Sequence, residues 1–212
     1  MTTDERPVHR ARPAPQDAGS IRERKKRETR ARIHRAALSL ALDRGLHEVT
    51  ADDIAAAATV SPRTLFNYFP TKEDAFVGYD PDAGDRLAGD VLARPAEEPL
   101  DVAVRAVVTA HVVALAEDEE LWRMRRRLAE LSPELADRLS GAGSRLESAL
   151  VRAAYERTGA DPATDIRPGV TARTAMAAVR AAFDQHRTAG MSGSLTRRLD
   201  AAFDAAGLAR PR

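Results

Sequence analysis

Three helix-start signals fall in one short stretch of the chain, and no other feature restricts the fold as much. Thr50 is followed three residues later by Asp53, an acidic variant of the reciprocal capping arrangement, with acid at the positive end of the helix it opens. Ser61 stands before Pro62, a capping hydroxyl followed by the residue whose fixed φ suits the first helical position. Pro70 closes that helix, and Thr71 with Glu73 and Asp74 opens the next. The spacing predicts two short helices over "TADDIAAAATVSPRTLFNYF", joined by a tight turn near Ala58-Thr59-Val60, in the manner of a helix-turn-helix. Ile54, Ala55, Ala58, Val60, Leu65 and Tyr68 fall where such a unit needs small or apolar packing residues. Thr59 holds the turn position that suits glycine, so either the turn differs locally or a β-branched residue carries strain there.

Upstream, "SIRERKKRETRARIHRAALSLALDRG" puts Ile33, Ala36, Ala37, Leu40 and Ala41 on one face of a helix that starts near Ser20 and ends at Gly45. Residues 1–19 mix proline, arginine and small polar residues without a period and read as a disordered arm. Downstream, helical periods are predicted over 100–117, 119–131, 133–157, 168–189 and 195–206, and no strand-like alternation occurs. A boundary is expected in the glycine- and proline-bearing stretch 78–99. The fold class is therefore all-α, with an N-terminal three-helix unit over 20–77 and a helical bundle over 78–212.

The charges nearly cancel, 33 basic against 32 acidic, so any attraction to nucleic acid must be local. One local source is the run "RERKKRETRARIHR", whose positive field would supply salt-dependent affinity that is independent of base sequence. The absence of cysteine excludes disulfides, thiolate metal sites and cysteine nucleophiles. The longest apolar run, Val107 to Ala116, is about half of the ~20 residues a membrane span needs. With no apolar leader at the N-terminus, a cytoplasmic location is expected. No glycine-rich phosphate loop, His-Glu-x-x-His or nucleophile elbow is present, so neither an enzyme nor a cofactor or metal is expected.

The aromatic cluster in "VSPRTLFNYF" fits a helix that packs on one side and reads on the other. Leu65, Phe69 and the ring of Phe66 or Tyr68 would fasten the helix, leaving Arg63, Thr64 and Asn67 on the opposite side. In a major groove an asparagine can pair bidentately with adenine, and an arginine with guanine or phosphate. Ser61 and Lys72, each near a helix start, are placed to hold phosphates, which fix register without reading bases.

From about Thr29 through Phe76, and above all in "VTADDIAAAATVSPRTLFNYFPTKEDAF", the chain resembles the N-terminal domain of the TetR family of bacterial transcriptional regulators. Its "YF.sKe" signature is matched by Tyr68-Phe69-Pro70-Thr71-Lys72-Glu73. The resemblance implies a homodimer that binds a near-palindromic duplex operator through its N-terminal domain and is released by a small effector bound in the C-terminal domain. It implies DNA contacts at Thr50, Ser61, Arg63, Thr64, Asn67, Tyr68 and Lys72. "RRRLAELSPEL" loosely resembles the effector domains of the mycofactocin-regulator branch, which implies an apolar or acyl-CoA-like effector. The alternative is a DNA-binding protein without an effector, whose C-terminal half only dimerises.

In that half, the apolar stripe of the helix at 100–117 and the helix after it could frame a ligand pocket at Val104, Val108, His111, Leu115, Trp122 and Arg126. An anionic effector would find its partner in the cluster Arg123, Arg125, Arg126 and Arg127, otherwise a solvated face. Ala175, Val179, Ala182 and Phe183, with Leu199, are candidates for a dimeric four-helix interface. His34 and His47 read as surface or capping residues.

Overall fold

Capping chemistry organises the N-terminal domain. In the computed structural model, which describes residues 15–116 and 118–211, helix α1 (Pro15–Arg44) is followed by three short helices, α2 (Ala51–Ala57), α3 (Pro62–Tyr68) and α4 (Lys72–Val77). The Thr50 hydroxyl accepts from the Asp53 amide at 3.1 Å while the Asp53 carboxylate accepts from the Thr50 amide at 3.0 Å, closing a capping box. The hydroxyls of Ser61 and Thr71 accept from the Thr64 and Asp74 amides at 3.0 and 3.1 Å. Six further helices follow: α5 (Ala83–Leu92), α6 (Leu100–Ala116), α7 (Glu119–Leu131), α8 (Pro133–Thr158), α9 (Arg167–Thr188) and α10 (Leu195–Ala205). No strand occurs among the described residues.

Two expectations are corrected. Helix α1 begins at Pro15, so it takes in part of the stretch read as an arm, while residues 1–14 lie outside the described residues. The stretch 78–99 is not merely a link, because α5 lies within it. Gly84 and Gly89 lower its helix propensity and hide it. Packing accounts for Gly84, where a β-carbon would stand 3.1 Å from the β-carbon of Ala149 on α8.

Two apolar cores form, and they do not divide where the chain does. The first gathers Ile33, Leu38, Ile54, Leu65, Phe69 and Phe76 of α1–α4, but also Leu128 of α7 and Leu135 of α8. Helix α7 is thereby packed into the N-terminal domain. The second core, between α5, α6, α8, α9 and α10, includes Val104, Val108, Leu150, Ala175 and Phe203. It is closed by Arg105, 2% exposed, which donates to Asp204 at 2.6 Å, Asp200 at 3.0 Å and the Leu208 carbonyl at 2.7 Å. This clasp holds α10 on α6.

The residues expected at a dimer interface pack within the subunit. Ala175, Val179, Ala182 and Leu199 are buried inside the single subunit, and Phe183 stacks on Trp122 with ring centres 5.1 Å apart. Their periodicity reported a core stripe, because an alanine-rich helix looks alike on a core face and on an interface face.

Candidate nucleic-acid interface and adjoining cavity

Helix α3 is anchored from below and bare above. Leu65 and Phe69 are fully buried and Tyr68 is half-buried, whereas Arg63 and Asn67 are exposed. Phe66 does not fasten the helix: it is 49% exposed and shares the outward side with Asn67. Thr64 is half-buried, its hydroxyl 2.8 Å from that of Ser61, so these two groups are partly satisfied before any DNA arrives. Thr59 sits at φ 54° while the Thr59 and Val60 amides donate to the Ala56 and Ala55 carbonyls at 3.0 and 2.9 Å. The helix-turn-helix turn thus keeps its left-handed residue, and the strain is carried.

Thr50 and Lys72 flank this surface. The Thr50 hydroxyl also donates to Asp53 at 2.5 Å, and the hydrogen bonds from Thr50 hold the Asp53 carboxyl below its usual range. Lys72 donates from Nζ to the Val49 carbonyl at 2.9 Å, tying the start of α4 to the residue before Thr50. The basic run of α1 is only partly available. Arg24 pairs with Glu28, Lys26 with Asp82 at 2.5 Å, and Arg35 with Asp118 and Glu120. Arg22 and Lys25 instead line, with Asn67 and Tyr68, a groove of about 620 Å³ between α1 and α3.

Arg30, part of the basic run of α1, is a structural link. Its guanidinium donates to the carbonyls of Tyr68 at 2.8 Å and Tyr79 at 2.7 Å and lies 4.9 Å from the centre of the Phe69 ring. It therefore joins the last residue of α3 to the segment that leads into α5. His34, one turn on, is buried and not a surface residue. Its Nδ1–H donates to the Ala75 carbonyl at 2.7 Å, and burial together with nearby Arg125 lowers its pKa to about 4. The signal was present, since His34 lies on the same stripe as Arg30, Ala37 and Leu38.

Behind His34 opens a cavity of about 720 Å³, walled by α1, the Val77–Arg86 segment, α6, α7 and α8. Of the expected pocket residues, His111 and Leu115 line it. Val104 and Val108 belong to the core below, Trp122 faces Phe183, and Arg126 is bound to Glu130 at 2.9 Å. Only the C-terminal end of the α6 stripe reaches open space. Of the cluster Arg123, Arg125, Arg126 and Arg127, Arg125 is the member that lines the cavity. Among the described residues no group capable of holding a metal ion is formed, and no helix is long and apolar enough to cross a membrane.

Comparison with known proteins agrees with this geometry. Residues 33–77 match the profile of bacterial regulatory proteins of the tetR family, and residues 97–209 match that of the MftR C-terminal domain. The chain is 33% identical over 154 residues to the HTH-type transcriptional regulator TcmR of Streptomyces glaucescens, covering 70% of this chain and 68% of TcmR. In structure it is similar to SmeT, the repressor of the Stenotrophomonas maltophilia multidrug efflux pump SmeDEF, with TM-score 0.53, 20% identity and coverage of 84% and 87% of the two chains. It is likewise similar to the fatty acid degradation regulator FadR of Bacillus halodurans, with TM-score 0.51, 19% identity and coverage of 84% and 93%. At these identities the two structures speak for the fold alone.

Proposed function

We infer the working parts of this protein from one premise: the chain belongs to the TetR family of bacterial regulatory proteins and is a ligand-responsive DNA-binding transcriptional repressor. It acts in the cytoplasm as a homodimer, without turning over its effector. The observation that carries the reading is α3, whose buried Leu65 and Phe69 leave Arg63 and Asn67 bare for the major groove. Asn67 and Arg63 read base edges, while Thr50, Ser61, Thr64, Tyr68 and Lys72 set the register on phosphates. Arg22 and Lys25 extend the phosphate contact along the groove beside Asn67.

The dimer face consists of the sides of α9 and α10 turned away from the core, where Ala177, Ala181 and Ala201 are exposed. Their small side chains let a second copy's helices approach closely. The domains divide after Val77, and the effector occupies the cavity behind His34, between the DNA-binding domain and the bundle. An apolar or acyl-CoA-like molecule is the class that the resemblance of the second half suggests. A ligand there touches α7, which is packed into the N-terminal core through Leu128, and the Tyr79 segment, which Arg30 ties to the end of α3. Repression is relieved when the ligand favours a spacing of these elements that the operator does not accept.

Salt titration of Asn67→Ala and Lys72→Ala tests this division of labour. Asn67→Ala should lose discrimination between operator and random duplex, and Lys72→Ala should weaken both and flatten the salt slope by about one per subunit. Equal losses on operator and random duplex for Asn67→Ala would remove its reading role.

A further inference from the structure

Among the described residues, the charges that line the cavity do not balance. Six arginines (Arg27, Arg30, Arg86, Arg125, Arg145 and Arg152) face two aspartates, Asp80 and Asp85. Asp80 is taken by Arg86 at 2.5 Å and approached by Arg30 at 3.8 Å, and Asp85 is paired with Arg152 at 3.4 Å. Arg145 lies over the ring of Tyr79, 4.4 Å from its centre, without a carboxylate partner among the described residues. Arg125 is the extreme case. It has no hydrogen-bond or ion-pair partner among the described residues, and desolvation alone lowers its pKa to about 10. Its neighbour His34 is held neutral and supplies no negative charge.

A half-buried guanidinium with no anion beside it has lost part of its hydration without a partner to offset that loss. Its planar fork of donors suits a carboxylate, sulfonate or phosphate. Between the cations the wall also carries the apolar side chains of Ala31, Val77, Leu115, Leu121, Leu146 and Ala149. Resting on the effector reading above, we propose that the cavity takes an amphipathic organic anion, its charged head on Arg125 and Arg145 and its apolar body against α6 and α8. The anion completes the ion pair that the fold leaves open. It also sits on α7 and against Tyr79, the two elements joined to the DNA-binding domain.

The test uses two fluorescent probes with the same rings, anilinonaphthalene sulfonate, which is anionic, and phenylnaphthylamine, which lacks the sulfonate. The full-length chain is titrated with each, as wild type and as Arg125→Gln and Arg125→Lys. The sulfonate should bind the wild type more tightly than the amine. Arg125→Gln should weaken the sulfonate by about tenfold or more, Arg125→Lys should restore part of that loss, and the amine should bind all three alike. Retained amine binding shows that the variants are folded and that the cavity is intact. If the glutamine variant unfolds, the lysine variant and the wild-type preference decide the matter. Without probe, Arg125→Met should melt higher than wild type, because the unpaired charge is gone.

Sulfonate affinity unchanged in Arg125→Gln, or equal wild-type affinity for the two probes, would overturn the proposal. Binding of neither probe would remove the cavity as a ligand site. The amine bound while the sulfonate is not would leave an effector site but reject its anionic class. Operator binding measured on the same sample keeps the DNA-reading function separate from each of these outcomes.

Discussion

The imidazole of His34 abuts Gly78, so close that a β-carbon on Gly78 would stand 2.6 Å from Nε2. Gly78 also ends α4 at φ 70°, a left-handed cap where glycine carries no steric penalty. Gly78→Ala therefore meets both a strained backbone and a ring held in place by the Ala75 carbonyl. A loss of about 2–4 kcal/mol is expected in denaturant unfolding, well above the ~1 kcal/mol that a positive φ alone accounts for. A loss near that smaller value would mean that the ring moves aside freely.

The same histidine makes stability depend on pH. In the unfolded chain the imidazole titrates near 6.5, and in the fold near about 4. Between those values the unfolded state holds the proton and the folded state does not, so acid favours unfolding. Arg125 and Arg35 oppose protonation of the ring and Asp118 favours it, after burial as the larger cause. Stability should be level above pH 7 and fall by on the order of 1–2 kcal/mol on going to pH 5. His34→Asn, which keeps a donor toward Ala75, should remove most of that slope. His111 and His186, also lowered by burial, leave a smaller dependence of the same sign.

Thr59 carries its strain at an exposed position. Thr59→Gly should raise stability by about 1 kcal/mol, read as a higher midpoint of unfolding with an unchanged slope. No gain would indicate that the added freedom of the unfolded glycine cancels the relief.

The exposed alanines of α9 and α10 test the dimer. Ala181→Glu places like charges across a two-fold axis and should shift the chain toward monomer in sedimentation while the helical signal is retained. Operator affinity should fall with it, because each half-site is then bound singly. A dimer of unchanged strength would move the interface elsewhere.

Much of this architecture was legible in the chain because caps are local chemistry. Thr50 and Thr71 each announce a helix by the acid three positions on and Ser61 by the proline that follows it, and helix α7 could be placed at 119–131 from its period alone. Helix α5 was not legible, since the glycine that lets it approach Ala149 also erases its helical signal. Orientation was the other missing quantity. Phe66 is indistinguishable in sequence from an anchoring ring, and it faces outward because Leu65 within the seven-residue helix and Phe69 at its C-cap take the inward positions. Arg125 and Arg126 are neighbours in one cluster, and a rotation of about 100° per residue sends one to the cavity and the other to Glu130. For the same reason the core stripe of α9 passed for an interface.

Selection of bound duplexes from a random library, with the wild-type chain and Asn67→Ala run in parallel at near-physiological salt, addresses the reading helix directly. The wild type should enrich an inverted repeat whose half-site centres are about 34–36 Å apart or a multiple of that distance. Asn67→Ala should enrich the same repeat with base preference lost at one symmetry-related pair of positions. A wild-type library without enrichment, or identical preferences from the two chains, would contradict the assignment of α3 and Asn67 as the sequence-reading surface.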